Sequence, residues 1–236
     1  MKNYKAILFD MDGTLVPMDI DAFTNGYFKI LCKKLAHHNI PSEMIVKCIW
    51  AGTKAMVMND GNKTNEEVFW EKFESLMPNA KSLLEEECKD FYGNEFKQAI
   101  AFTSPNPLAK EAVELAKSKG KTVILATNPL FPMPGQVTRM GYIGLAPSDF
   151  AYVSSFECER FCKPNPNYYK DVLAKNNLKP EECLMVGNDE YEDAWSASTL
   201  GMDCYLITDC LIPSDKYHHE GQRGTFKEFF EYLKTL

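Results

Sequence analysis

The sequence lacks the patterns that mark membrane proteins, disulfide-rich secreted proteins and zinc proteins. No apolar run approaches the ~20 residues that a membrane-spanning helix needs. Eight cysteines are present, but they are dispersed, and only Cys158 and Cys162 lie close together. Disulfide frameworks and zinc sites use tighter cysteine or histidine spacing at two places. The opening residues, MKNYKAILFDMDGTL, place acids in the apolar stretch and predict a strand instead of a signal peptide. We therefore expect a cytoplasmic protein with reduced thiols and no membrane partner.

Positive charge is also scarce, because 26 Lys and Arg residues face 33 Asp and Glu residues, for a net charge of -7. No basic stripe is available to neutralise a phosphate backbone, so we expect no nucleic-acid partner. A small anionic substrate stays compatible with this charge if a metal ion and a few local donors supply positive charge. Neither a monomer nor a dimer is excluded.

Short apolar runs recur along the chain, at residues 5–9 (KAILF), 122–126 (TVILA), 150–153 (FAYV), 183–187 (CLMVG) and 204–207 (CYLI). Runs of this length are typical of parallel strands that are buried on both faces. Helical patterns at residues 109–119, 166–176 and 192–200 lie between them, and an amphipathic helix at 225–236 closes the chain. This alternation predicts an α/β fold with a Rossmann-like parallel sheet.

Residues 18–104 break the alternation, because they contain no strand-like run. Phe23, Tyr27 and Leu31 recur at helical spacing, and the sequence from Thr64 to Glu67 is a capping box that opens a helix. A further helix is predicted at residues 81–100. We interpret 18–104 as an inserted helical subdomain of roughly four helices, within an α/β core formed by 1–17 and 105–236.

The segment Asp10-Met11-Asp12-Gly13-Thr14 follows the first apolar run. Residues two apart in an extended chain point the same way, so both carboxylates are expected to face one site. In open α/β sheets that site lies beyond the carboxyl ends of the strands. Two carboxylates repel each other there unless a cation is bound, and oxygen ligands favour Mg²⁺.

These residues resemble the opening signature of the haloacid dehalogenase superfamily, whose phosphatases begin with Asp-x-Asp-Gly-Thr. Its other three signatures occur in order after later apolar runs. Thr127-Asn128 follows 122–126, Lys163 lies in the segment CKPNP, and residues 187–193 (GNDEYED) contain the last acidic pair, Asp189 and Asp193. The resemblance covers residues 5–207 and implies a phosphatase branch with a type 1 helical cap.

The resemblance also implies a role for each signature residue. Asp10 would be the nucleophile that forms an aspartyl-phosphate, and Asp12 would be the acid and base. Lys163 would neutralise charge on the nucleophile and the phosphoryl group. The Thr127 hydroxyl and the Asn128 backbone N–H would bind phosphate oxygens.

The implied Mg²⁺ would be held by Asp10, the backbone carbonyl of Asp12, and Asp189. Asn188 stands between Gly187 and Asp189, which leaves open which of the two side chains faces the metal. Asp189 is the better ligand because its carboxylate carries charge. Asp193 would not bind the metal directly but would orient a metal ligand or Lys163 through a hydrogen bond.

The expected reaction is hydrolysis of a small phosphorylated metabolite, with the cap selecting the leaving group. Dehalogenases of the superfamily lack an acid at the position of Asp12, so that residue favours phosphoryl transfer. A phosphomutase, a phosphonate hydrolase and a non-catalytic binding protein stay open as alternatives. Phosphonate cleavage would need a cap lysine, for which Lys54 is the candidate, and Lys54 could otherwise face the site as a specificity residue.

Overall fold

The computed structural model describes residues 2–236. Its sheet has six parallel strands in the order β3-β2-β1-β4-β5-β6. These strands are β1 (Ala6–Phe9), β2 (Thr122–Leu125), β3 (Tyr152–Val153), β4 (Cys183–Gly187), β5 (Asp203–Ile207) and β6 (Arg223–Gly224). The predicted α/β fold with a parallel sheet is confirmed. Strand β6 was not predicted, because two residues, Arg and Gly, form no apolar run.

Strand β1 lies at the centre of the sheet, between β2 and β4. All four of its side chains are buried, which is why its sequence is continuously apolar. The chain runs outward from β1 through β2 to β3 and then crosses to β4 on the other side of β1. Binding crevices form beside the carboxyl ends of strands where the order reverses in this way. The segments that follow β1, β2 and β4 are therefore brought together at one edge.

No strand longer than an isolated bridge occurs between β1 and β2 in the described chain. The helices at residues 18–104 are α1 (Ile20–Lys34), α2 (Ser42–Val57), α3 (Asn65–Leu76) and α4 (Ala80–Gly93), with 3₁₀ segments at Leu35–His38 and Glu95–Phe102. The capping box at Thr64 opens α3 as predicted. The helix predicted at 81–100 is instead interrupted at Asn94, whose backbone is not helical. The division into a core at 1–17 and 105–236 and a cap at 18–104 stays a prediction.

Five further α-helices lie outside residues 18–104 in the described chain. They are α5 (Pro107–Ser118), α6 (Met133–Tyr142), α7 (Pro166–Lys175), α8 (Ser196–Ser198) and α9 (Phe226–Thr235). Helix α6 was not predicted from the sequence, because it contains two glycines and buries Gln136 and Arg139. The helix predicted at 192–200 is a wider π-helical turn at Glu190–Trp195 that continues into α8.

No helix within residues 2–236 combines the length and the apolar character that crossing a bilayer requires. All eight cysteines are free thiols, which is consistent with the prediction drawn from their spacing.

Candidate active site

Asp10 follows β1 directly and is buried, with 7% of its surface exposed. Its Oδ1 accepts a hydrogen bond of 2.8 Å from Nζ of Lys163. Burial raises the pKa of Asp10 to about 7, and the negative charges of Asp193 and Asp12 act in the same direction against Lys163. The site therefore concentrates more negative charge than its one lysine neutralises.

Lys163 is buried between two carboxylates. Its Nζ lies 2.8 Å from Oδ1 of Asp10 and 2.6 Å from Oδ1 of Asp193. Burial alone would lower the pKa of Lys163, but the two carboxylates outweigh it and hold that pKa well above its usual value. The lysine is consequently a fixed positive charge beside Asp10.

Asp193 connects Lys163 to the loop after β4. While its Oδ1 faces the lysine, its Oδ2 accepts hydrogen bonds of 3.1 Å from the backbone N–H groups of Asn188 and Asp189. The Tyr169 hydroxyl donates a further bond of 3.3 Å to Oδ1. Asp193 thus positions both the lysine and the loop that carries Asp189.

Asn188 and Asp189 have different surroundings. Asn188 Oδ1 accepts from the Thr14 hydroxyl at 2.9 Å, and its amide donates to the Cys210 carbonyl at 2.7 Å. Both ends of Asn188 are therefore engaged in tying the loop after β4 to the turn after β1. Asp189 Oδ1 accepts from two backbone N–H groups of the following turn, at 2.7 and 2.8 Å. Its Oδ2 has no hydrogen-bond partner in the described chain, so that oxygen can serve a ligand.

Thr127 and Asn128 follow β2, and both line the same cavity as Asp10. The backbone carbonyl of Thr127 is held by the Tyr168 hydroxyl at 2.9 Å. The Asn128 amide donates to Oε2 of Glu192 at 2.9 Å, and burial raises the pKa of Glu192 to about 8. No role was predicted for Glu192, because its sequence position is also that of an ordinary charge in the first turn of a helix.

Asp12 also lines the cavity, but its carboxylate is held by an unpredicted partner. Arg139 of α6 is fully buried and donates from its guanidinium to Oδ2 of Asp12 and to the side chain of Gln136. The guanidinium also lies 4.2 Å from the centre of the Phe131 ring. Nothing in the sequence around Arg139 marks it as buried, so only the folded chain reveals the pair.

The donor set suits a divalent cation. Asp10 and Asp189 each keep a carboxylate oxygen that has no hydrogen-bond partner in the described chain, and both residues line one cavity. Burial raises the pKa of Asp189 as well as that of Asp10, and the negative charge of Asp193 acts in the same direction on both. Hard oxygen ligands with excess negative charge are the ligands that Mg²⁺ prefers. The carboxylates of Asp10 and Asp189 therefore fit the ion by their chemistry, whereas the prediction that they hold it, with the backbone carbonyl of Asp12, stays a prediction.

The cavity of about 380 Å³ lies between the carboxyl ends of the strands and helices α1–α4. Thr53 of α2 lines it, whereas the neighbouring Lys54 is exposed and is not among the residues that line it. The structure therefore does not bring Lys54 to the acids, in contrast to the suggestion drawn from its sequence position. Successive residues of a helix point about 100° apart, which separates these two side chains.

The chain is similar in sequence to known hydrolases. A model of the haloacid dehalogenase-like hydrolase family matches residues 4–201. The phospholysine phosphohistidine inorganic pyrophosphate phosphatase of Xenopus laevis is 36% identical over 70 residues, which make up 29% of this chain and 26% of that protein. The match therefore spans about a quarter of that relative's length.

Two solved structures share the fold. The HAD-hydrolase YfnB of Bacillus subtilis, bound to magnesium, has a TM-score of 0.59 at 19% identity, covering 98% of this chain and 99% of that one. The L-2-haloacid dehalogenase of Xanthobacter autotrophicus, with chloropropionic acid covalently bound, has a TM-score of 0.59 at 14% identity and covers 99% of both chains. At these identities, the two neighbours show that the fold is shared.

Proposed function

The chain belongs to the haloacid dehalogenase-like hydrolase family, and we propose that it is a magnesium-dependent phosphatase acting on a small phosphate monoester. The observation that carries the proposal is the contact of Lys163 with Asp10, in a cavity that Asp12 also lines. A carboxylate beside a fixed positive charge is a suitable nucleophile for phosphorus. A second carboxylate two residues away can move the protons.

The proposed reaction has two steps. Asp10 attacks phosphorus, an aspartyl-phosphate forms, and the bond between phosphorus and the ester oxygen breaks while Asp12 gives that oxygen a proton. Asp12, now a carboxylate, then takes a proton from a water molecule that attacks the phosphorus. Inorganic phosphate leaves and Asp10 is regenerated.

Several groups would stabilise the negative charge on the transferring oxygens. Lys163 would contribute its ammonium, and the Thr127 hydroxyl and the Asn128 backbone N–H would bind phosphate oxygens. Both of these residues follow β2 and line the cavity, which supports this part of the proposal. Mg²⁺, held by Asp10, the backbone carbonyl of Asp12, and Asp189, would neutralise the remaining charge. The magnesium-bound neighbour from Bacillus subtilis supports this choice of metal.

The alternatives are less well supported. Dehalogenation needs no acid at position 12, whereas Asp12 is present and faces the cavity. Phosphonate cleavage through Lys54 needs that lysine at the acids, and its side chain is exposed on α2. We also propose that residues 18–104 act as a cap that closes over the acids and excludes water during the reaction.

Release of 4-nitrophenol from 4-nitrophenyl phosphate tests the proposal. We expect turnover that EDTA abolishes and Mg²⁺ restores, and a loss of at least about a thousandfold in Asp10→Asn, because the nucleophile is removed. Asp21→Asn, an exposed acid of α1, is the matched control and should keep full activity. Equal rates for the Asp10→Asn variant and the parent protein, or a folded protein that hydrolyses no phosphate ester, would contradict the proposal.

A further inference from the structure

The cavity next to Asp10 extends away from the acids along helix α1. Four apolar residues on one face of α1 line it, and so does Leu35, which follows the helix directly. The four are Ile20, Phe23, Tyr27 and Leu31. At about 1.5 Å per residue, positions 20 to 35 span about 22 Å. The cavity is therefore long in comparison with the phosphate site at its end.

The opposite walls of the cavity are also apolar. They are formed by Ile45 and Ile49 of α2, Phe69 and Phe73 of α3, and Leu84 of α4. The hydroxyl groups of Tyr27 and Tyr92, which also line the cavity, bond to each other at 2.8 Å and so satisfy one another. The cap side is therefore mostly hydrocarbon surface, with few of the closely spaced donors and acceptors that would recognise a sugar. Besides charged residues, its other polar groups come one each from α1, α2 and α3, at Thr24, Thr53 and Trp70.

The cap side has no uncommitted positive charge for a second anionic group. Lys89 is the one cation among the described residues that line the cavity, and its Nζ lies 3.1 Å from Glu85 and 3.0 Å from Glu86. Glu66 and Glu85 add negative charge to the same wall. A substrate that carries a carboxylate or a second phosphate away from the reacting one would be repelled.

The entrance to the cavity is apolar too. Ile20 is 51% exposed and Trp50 is 52% exposed, although both are large apolar residues. Trp50 packs edge-on against Phe28 with ring centres 5.6 Å apart. Exposed apolar side chains at the rim of a cavity with apolar walls favour the entry of an apolar ligand.

From these observations we propose that the leaving group is a long aliphatic alcohol, so that the substrate is an alkyl-chain phosphate monoester with its chain along α1. This inference rests on the proposed phosphatase activity and names the substrate class. Hydrolysis of such an ester yields inorganic phosphate and the free alcohol. The phosphate end would lie at Asp10 and Lys163, and the chain would replace water against the apolar walls.

The test compares kcat/KM for butyl, hexyl, octyl and decyl phosphate, below their critical micelle concentrations, with glycerol 1-phosphate and glucose 6-phosphate. We expect kcat/KM to rise by roughly three- to fourfold for each added methylene until the cavity is filled, because each methylene leaves water. The polyol esters should be poorer substrates than octyl phosphate by at least about a hundredfold on the same basis.

A variant tests where the alkyl chain of the substrate lies within the cavity. Leu84→Phe adds a ring to the α4 wall and should lower kcat/KM for decyl phosphate by at least about tenfold, with little change for butyl phosphate. The matched control is Leu83→Phe, because Leu83 is the exposed neighbour on α4 and does not line the cavity. That control should leave the whole series unchanged.

The outcomes separate the two proposals. Hydrolysis of 4-nitrophenyl phosphate without dependence on chain length, or with preference for a polyol ester, would overturn the substrate class and leave the phosphatase intact. Failure of the folded protein to hydrolyse any ester would overturn both. An equal loss of kcat/KM for butyl and decyl phosphate in Leu84→Phe would overturn the placement of the alkyl chain along the α4 wall. Should that variant not fold, the chain-length series of the parent protein still decides.

Discussion

The buried pair of Arg139 and Asp12 makes a quantitative prediction about stability. Arg139 is fully buried, whereas the Asp12 side chain is 22% exposed toward the cavity. The perturbation is a double-mutant cycle of Asp12→Asn, Arg139→Met and the combined variant. Both replacements roughly keep the size of the side chain, so the cycle isolates charge and hydrogen bonding from the creation of a cavity.

The two single variants should have unequal costs. Asp12→Asn leaves the Arg139 charge buried without a counter-charge, and breaking a buried pair in this way costs about 3–5 kcal/mol. Arg139→Met leaves an aspartate that water in the cavity can reach, so its cost should be smaller, about 1–3 kcal/mol, chiefly for the lost bonds to Asp12 and Gln136. The combined variant removes both charges. Its loss of unfolding free energy should be smaller than the sum of the two single-variant losses by about 2 kcal/mol, within the range seen for contacting residues.

Urea denaturation at neutral pH, followed by circular dichroism, measures the free energy of unfolding of all four proteins. Arg160→Met, which replaces an exposed arginine, is the control and should change that free energy by less than about 0.5 kcal/mol. Additivity of the two single variants within about 0.5 kcal/mol would show that the residues do not interact in solution. A larger cost for Arg139→Met than for Asp12→Asn would also refute the reasoning, because it would reverse the order set by burial.

Two further predictions concern the loop after β1 and a buried acid. Gly13 and Gly201 both have positive φ, but a Cβ on Gly13 would collide with Asn188 whereas one on Gly201 would meet nothing. Gly13→Ala should therefore lower the free energy of unfolding by at least about 1 kcal/mol more than Gly201→Ala, and equal losses in denaturation would contradict this. Burial raises the pKa of Glu159 above 4.5, so the folded state binds that proton more tightly than the unfolded state does. The unfolding free energy of the parent protein, relative to that of Glu159→Gln, should therefore fall as pH rises from 4.5 through the raised pKa. If the parent value minus the variant value stays constant or rises over this range, the reasoning is refuted.

Several features could be predicted because they depend on local patterns. Continuous apolar runs alternate with helical spacing, and this is sufficient to indicate a parallel α/β sheet. Asp10, Thr127 and Asp189 each follow one of those runs closely. They are therefore expected to lie together at one edge of the sheet, because parallel strands present their carboxyl ends together. The capping box at Thr64 could likewise be predicted, because it depends only on the four adjacent residues 64–67.

Other features depend on which distant segments meet, and they appear only in the folded chain. Arg139 lies in an inconspicuous helical segment, yet it pairs with Asp12, which is 127 positions away in the sequence. Lys54 was considered for the site on sequence position alone, but the rotation of α2 exposes it and directs Thr53 to the cavity. Helical spacing in residues 18–104 predicts which side chains are apolar. It does not predict that α1–α4 leave a long apolar cavity open to the acids, because that depends on how the four helices are placed against one another.

The chain by itself therefore determined the fold class, the order of the signatures and the residues at the strand ends. Each of these follows from backbone periodicity and from the chemistry of short segments. Tertiary structure decided the partner of Asp12, the exposure of Lys54 and the apolar character of the space above Asp10. Burial and pairing are set by contacts between residues that are far apart in sequence, and local patterns carry no information on those contacts.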